Sequence, residues 1–296
     1  CALPICIGSV SGAGQTKQPQ KIGDFIESTS YNEHRRNATR SLQYTPDGDD
    51  FVCINGKNRF TRALYGSHTA FRLETSDRPV FAAYTKENPK HICFKLQTSG
   101  GTVALDSTEH CESRYTAGRR SYSLSDPAFG GGSLSITTWA LPDKEGAIWQ
   151  FNARNFKEFH PVLLASISEI RNSKLNRNGD MGADPADSFE APLQPQQLQS
   201  FPVQIDGTLY ILLENQELRT LTTAEGENLF KKAEAARSET ASRIRIETPD
   251  PYFNTLGGTL AMAADGIWDG EVWLHGAIGW RMPLSGWRAA YTGDVL

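Results

Sequence analysis

The chain has 296 residues, 39% hydrophobic and 22% charged, with a formal net charge of -4. That balance excludes a fibrous or disordered chain, and 30 Lys+Arg against 34 Asp+Glu leave no electrostatic footprint for nucleic acid. The 26 Gly, 15 Pro, 14 Phe, 9 Tyr and 6 Trp suit a turn-rich β protein with an aromatic-lined site, and no run reads as a membrane span.

The first 14 residues, from Cys1 to Gly14, are apolar and then small, and read as the remnant of a signal peptide with Ser11 and Ala13 at the small-residue cleavage positions. Periplasmic or extracellular location is the expectation. From Ser41 to Leu213, short β-branched and aromatic runs alternate with Gly, Asn, Asp and Pro. The predicted strands are Phe51–Ile54, Phe60–Leu64, Thr69–Leu73, Val80–Tyr84, His91–Leu96, Ser121–Leu124, Ser133–Ala140, Ala147–Ala153, Val162–Ser168 and Thr208–Leu213. In the clearest of them the period is two: Leu134 and Ile136 share a face, as do Trp149 and Phe151. This pattern predicts a large antiparallel β-sandwich over residues 38–215, with Asn55-Gly56 as a hairpin turn and the polar stretch Asn172–Gln199 as a surface loop.

Residues 216–250 change character. Ala, Glu, Lys and Arg replace the β-branched residues after Thr222 or Thr223, predicting a linker helix with Leu229, Ala233, Ala236 and Ala241 on one stripe. The prolines of Thr248-Pro-Asp-Pro251 make the following connector extended. Residues 251–296 open with helical composition, capped at Asn254 or Thr255, and close on a segment holding four of the six Trp among Asp, Glu, His and Arg. Indole faces stack on sugar C–H faces while carboxylates and guanidinium groups match hydroxyls, so this mixture points to an oligo- or polysaccharide partner. The candidate binding residues are Trp268, His275, Trp280, Arg281, Trp287 and Arg288. Asp269 and Glu271 are the residue type that protonates a glycosidic oxygen or activates water, and are candidates for one member of a catalytic pair.

Two blocks, Gly48 to Gly66 and His68 to Asp77, resemble the N-terminal region of large exported glycoside hydrolase-like proteins of polysaccharide-degrading Bacteroidota, many of them known only as a domain of unknown function. The resemblance implies a β-sandwich, a linker helix and then an (α/α)6 toroid holding the active site, with residues 251–296 its truncated start. It further implies action on plant-type polysaccharide, with rhamnoside and arabinofuranoside linkages both open, and a fragment without turnover of its own. The alternatives are a non-catalytic carbohydrate-binding protein and a scaffold that only docks another domain. No cofactor is implied. His91, Cys93, His110 and Cys111 lack zinc-finger spacing and are not read as a metal set, whereas Cys93 with Cys111 is a candidate disulfide in an exported chain.

Overall fold

The computed structural model describes residues 44–56, 62–66, 70–85, 89–156, 160–169, 197–276 and 282–286. The signal-peptide reading and most of the polar stretch before Gln197 lie outside them.

Two antiparallel sheets face each other. The eight-stranded sheet runs β1 (Thr45–Asp47), β2 (Asp50–Ile54), β8 (His110–Thr116), β9 (Arg119–Ser125), β10 (Ser133–Ala140), β11 (Gly146–Arg154), β14 (Thr208–Glu214) and β15 (Glu217–Leu221). The seven-stranded sheet runs β13 (Gln197–Gln204), β12 (Val162–Glu169), β6 (Lys90–Thr98), β5 (Val80–Tyr84), β4 (Arg72–Thr75) and β3 (Arg62–Tyr65), with β7 (Gly101–Ala104) also pairing β6. Two helices follow, α1 (Thr223–Ala241) and α2 (Pro251–Asp265).

The period-two alternation decides which side chains meet. Ile92, Phe94 and Leu96 of β6 face Leu134, Ile136, Trp149 and Phe151 of β10 and β11 in one buried cluster. Its centre is aromatic and edge-to-face: the Phe81 ring lies 5.4 Å from Trp149 and 5.9 Å from Tyr122, and Phe94 lies 5.0 Å from Phe151. Helix α1 builds a second, smaller core on the outer face of the eight-stranded sheet, where Phe230 and Ala233 cover Trp139, Ile148, Tyr210 and Leu212.

Several expectations change. Asn55-Gly56 is not a hairpin turn, because β2 and β3 belong to different sheets; Asn55, with φ of +50°, instead extends pairing to Cys111 and the chain then crosses between sheets. Gln197–Gln199, read as loop, opens edge strand β13, and Glu217–Leu221 carries the other sheet beyond residue 215. The α1 stripe is rotated: the buried positions are Gly226, Phe230, Ala233, Arg237 and Thr240. Its start is a capping box, Thr222 accepting from the Glu225 amide while Glu225 accepts from the Thr222 amide. The cap of α2 is Asp250, not Asn254 or Thr255: its Oδ1 accepts from the Tyr252 amide at 2.9 Å, and Pro251 occupies the first turn, where no donor is lost.

The candidate disulfide is also overturned. Cys93 hydrogen-bonds Ser166 on the outer face of its sheet, while Cys111 lies in the core of the opposite sheet, so the backbone of β6 stands between the two sulfurs. Both are free thiols.

Helix α2 is held on the sandwich by close contacts. Thr255 donates to the Gly48 carbonyl at 3.1 Å, and a β-carbon at Gly118 would lie 2.9 Å from the Met262 methyl. At its C-terminal end Gly266 is packed so tightly on the Tyr65 ring that a side chain would not fit. Buried Arg237 spans the junction, donating to Tyr65 O at 3.1 Å and pairing Asp265 at 3.5 Å. Burial pulls its guanidinium below the ordinary value, against the pull of Asp265. The chain leaves α2 from a fixed point.

Candidate functional site

That exit leads directly into the tryptophan segment. Trp268 and Trp273 form an isolated antiparallel bridge, and the Leu274 amide donates to Ile267 O at 2.9 Å, making a tight hairpin around Asp269-Gly270-Glu271-Val272. Asp269 shapes the turn: its Oδ1 accepts the amides of Glu271 at 3.0 Å and Val272 at 2.8 Å, and Gly270 adopts φ of +102°. A third strand-like segment joins it, since Leu274 bridges Pro283 and the His275 amide donates to Met282 O at 2.9 Å.

The two indoles pair with ring centroids 4.8 Å apart and planes at 52°, and both are only half-buried. Asp269 and His275 are half-buried beside them, while Glu271 and Val272 are exposed. Of the sequence candidates, Trp268, Asp269, Glu271 and His275 therefore share one small hairpin. Trp280, Arg281, Trp287 and Arg288 lie outside the described residues. Trp273 was passed over as an individual site residue. The Asp269-Gly270 dipeptide marks a turn, but a two-residue turn would set Glu271 opposite Trp268; the four-residue loop closed by Asp269 brings Trp273 there instead, and the dipeptide does not signal that register.

The hairpin leaves part of each indole accessible beside Asp269 and the exposed Glu271. An indole so placed offers C–H/π contact to a sugar ring, and an exposed carboxylate accepts from its hydroxyls. As acid/base chemistry the arrangement is thinner, since one oxygen of Asp269 is committed to two backbone donors and both acids sit on a single turn.

Residues 89–244, just over half the length, match the model of a domain of unknown function (DUF4450). The chain belongs to this family. Its matched region extends from the start of β6 to just beyond α1 and stops before α2 and the hairpin. No curated protein matches the chain. Among the described residues no helix is long and apolar enough to cross a membrane.

Proposed function

We propose that this member of the DUF4450 family is a carbohydrate-recognising part of an exported glycoside hydrolase-like protein, in which the sandwich supports a helical domain and the Trp268–Trp273 hairpin grips glycan. The observation that carries the reading is the partly exposed indole pair, 4.8 Å apart, on a hairpin whose turn holds Asp269 and Glu271. Supporting the helical domain is the face of α2 turned away from the sandwich, where Phe253 and Leu260, two turns apart, are 57% and 50% exposed. A further helix layer would cover that face, and the (α/α)6 toroid is the arrangement this reading assigns to it.

The commitment of Asp269 Oδ1 to the turn favours binding over catalysis by these two acids, with any hydrolytic pair drawn from separate elements. The chain is then expected to bind plant-type polysaccharide and leave aryl glycosides uncleaved. The test is calorimetric titration of the full chain with rhamnose- and arabinofuranose-rich polysaccharides, using Trp268→Ala and Trp273→Ala. Loss of binding in both variants, with unchanged melting, is the expected result. Full retention by both, or absence of binding by the parent chain, overturns the reading.

A further inference from the structure

A second candidate site, lined by none of the hairpin residues, opens at one end of the sandwich. There the β5–β6 end of the seven-stranded sheet and the exposed β10–β11 and β14–β15 turns of the other sheet border an open cavity of about 490 Å³. This falls within the range of small-molecule sites. Its apolar lining comes from Phe71, Ala83 and Leu213, each almost fully buried.

The polar lining is specific. Lys90 opens β6 with its side chain only 7% exposed, and among the described residues it pairs Glu169, half-exposed and 3.4 Å away. An ammonium group carries three donors, and among the described residues Glu169 takes one of them, so the group can serve a further acceptor. Lys144 is already engaged, pairing Glu214 at 2.7 Å across the adjoining hairpin ends. Asn215 and Gln216, with φ of +52° and +65°, form the tight β14–β15 turn and add two amides to the wall, and Glu145 adds a second carboxylate beside Glu214.

These groups narrow the ligand. The carboxylates of Glu145 and Glu214 accept from hydroxyls but repel a phosphate dianion. Lys90 shares its charge with Glu169, whose side chain is 50% exposed and screened by solvent, so it has donors for one ligand carboxylate but not for a dianion, and the apolar lining calls for a ring with C–H faces. We infer that this cavity binds a hexuronic acid residue, its carboxylate on Lys90 and its hydroxyls on the amides and carboxylates of the two turns. The choice of a sugar acid rests on the glycan reading above, but the site and its residues are separate from the hairpin.

The test titrates the full chain with glucuronate, galacturonate and their disaccharides, and with glucose and galactose as neutral controls. Lys90→Met, which keeps the aliphatic stem, should weaken uronate binding by about tenfold or more, as loss of a charge-assisted hydrogen bond does. Trp273→Ala should leave it unchanged. In the parent chain, uronate should slow amide exchange in peptides covering residues 83–90 and 213–217, a readout that stands even if Lys90→Met does not fold. Equal binding of neutral and acidic sugars, unchanged affinity in a folded Lys90→Met, or protection only at residues 267–276 overturns the inference. A chain that binds neutral glycan through its indoles while ignoring uronate would sink this inference and leave the hairpin reading standing.

Discussion

The side-chain amide of Gln199 clasps the backbone of Leu218 with both its groups: Nε2 donates to Leu218 O at 2.7 Å and Oε1 accepts from Leu218 N at 2.9 Å. Gln199 sits on an edge strand of one sheet and Leu218 on an edge strand of the other, so a side chain mimics a peptide and stitches the sandwich shut along that side. Leu218 is buried, and losing the clasp strands its backbone groups. Gln199→Ala should cost about 1–3 kcal/mol in urea unfolding, and Gln199→Glu, which keeps the acceptor and loses the donor, should fall between. No shift in the midpoint of either variant would show the clasp to be dispensable.

Packing of α1 depends on another close approach. A β-carbon at Gly226 would enter the ring of Tyr210, which itself packs on Phe230 with centroids 6.0 Å apart. Gly226→Ala removes a helix-weakening residue, yet the overlap should win: we expect net destabilisation of about 1–3 kcal/mol, seen as a lower melting temperature. A stabilised variant would mean that the helix shifts freely on the sheet.

Alkaline sensitivity is expected from the buried groups near Asp77. Burial pushes the Cys111 thiol up from 9.0 to about 12 and the Tyr44 hydroxyl from 10.0 to about 12. Tyr44 donates to Asp77 and accepts from Arg120 at 2.8 Å, and Cys111 donates to Asp77 O. In the unfolded chain both groups lose their protons at the ordinary values, while the native state holds them longer. Their stabilisation is complete below about pH 9 and is lost as pH rises toward about 12. The urea midpoint should therefore hold from about pH 7 to about pH 8.5 and decline toward about pH 10.5, less steeply in Cys111→Ala. An identical slope in that variant would remove the thiol from the account.

At the hairpin, Asp269 and Glu271 should separate cleanly. Asp269→Ala deletes the acceptor of two backbone amides, so exchange at Glu271 and Val272 should accelerate by about tenfold or more, with Asp269→Asn restoring protection. Glu271→Ala should leave exchange unchanged and act only on glycan affinity. Equal acceleration in both would assign the turn to something other than Asp269.

Legibility in the sequence followed burial only in part, since β8, an inner strand with Cys111, Ser113 and Tyr115 buried, carries His, Glu, Ser and Arg and is not among the predicted strands. Val80–Tyr84 and Ser133–Ala140 are predicted to the residue, because inner strands must alternate or stay apolar and bear the β-branched and aromatic residues that do so. Edge strands β13 and β15 need backbone partners on one side only and carry Gln, Glu and Arg, so their composition looks like loop. The α1 face was misphased because Arg237, a charged residue, lies inward where its partner Asp265 is 28 positions away. That Trp268, Asp269, Glu271 and His275 lie together was readable because they adjoin in sequence. The cavity was not, since its lining comes from positions between 71 and 216 that only the facing of two sheets assembles.

The seating of α2 has a practical corollary. With Gly266 under the Tyr65 ring, Met262 against Gly118 and Thr255 on the Gly48 carbonyl, the helix is part of the outer wall rather than a tether. Trimming the polypeptide at the end of the last strand would bare that wall, so a shortened version for crystallisation or domain swapping should keep everything through the loop after Gly266.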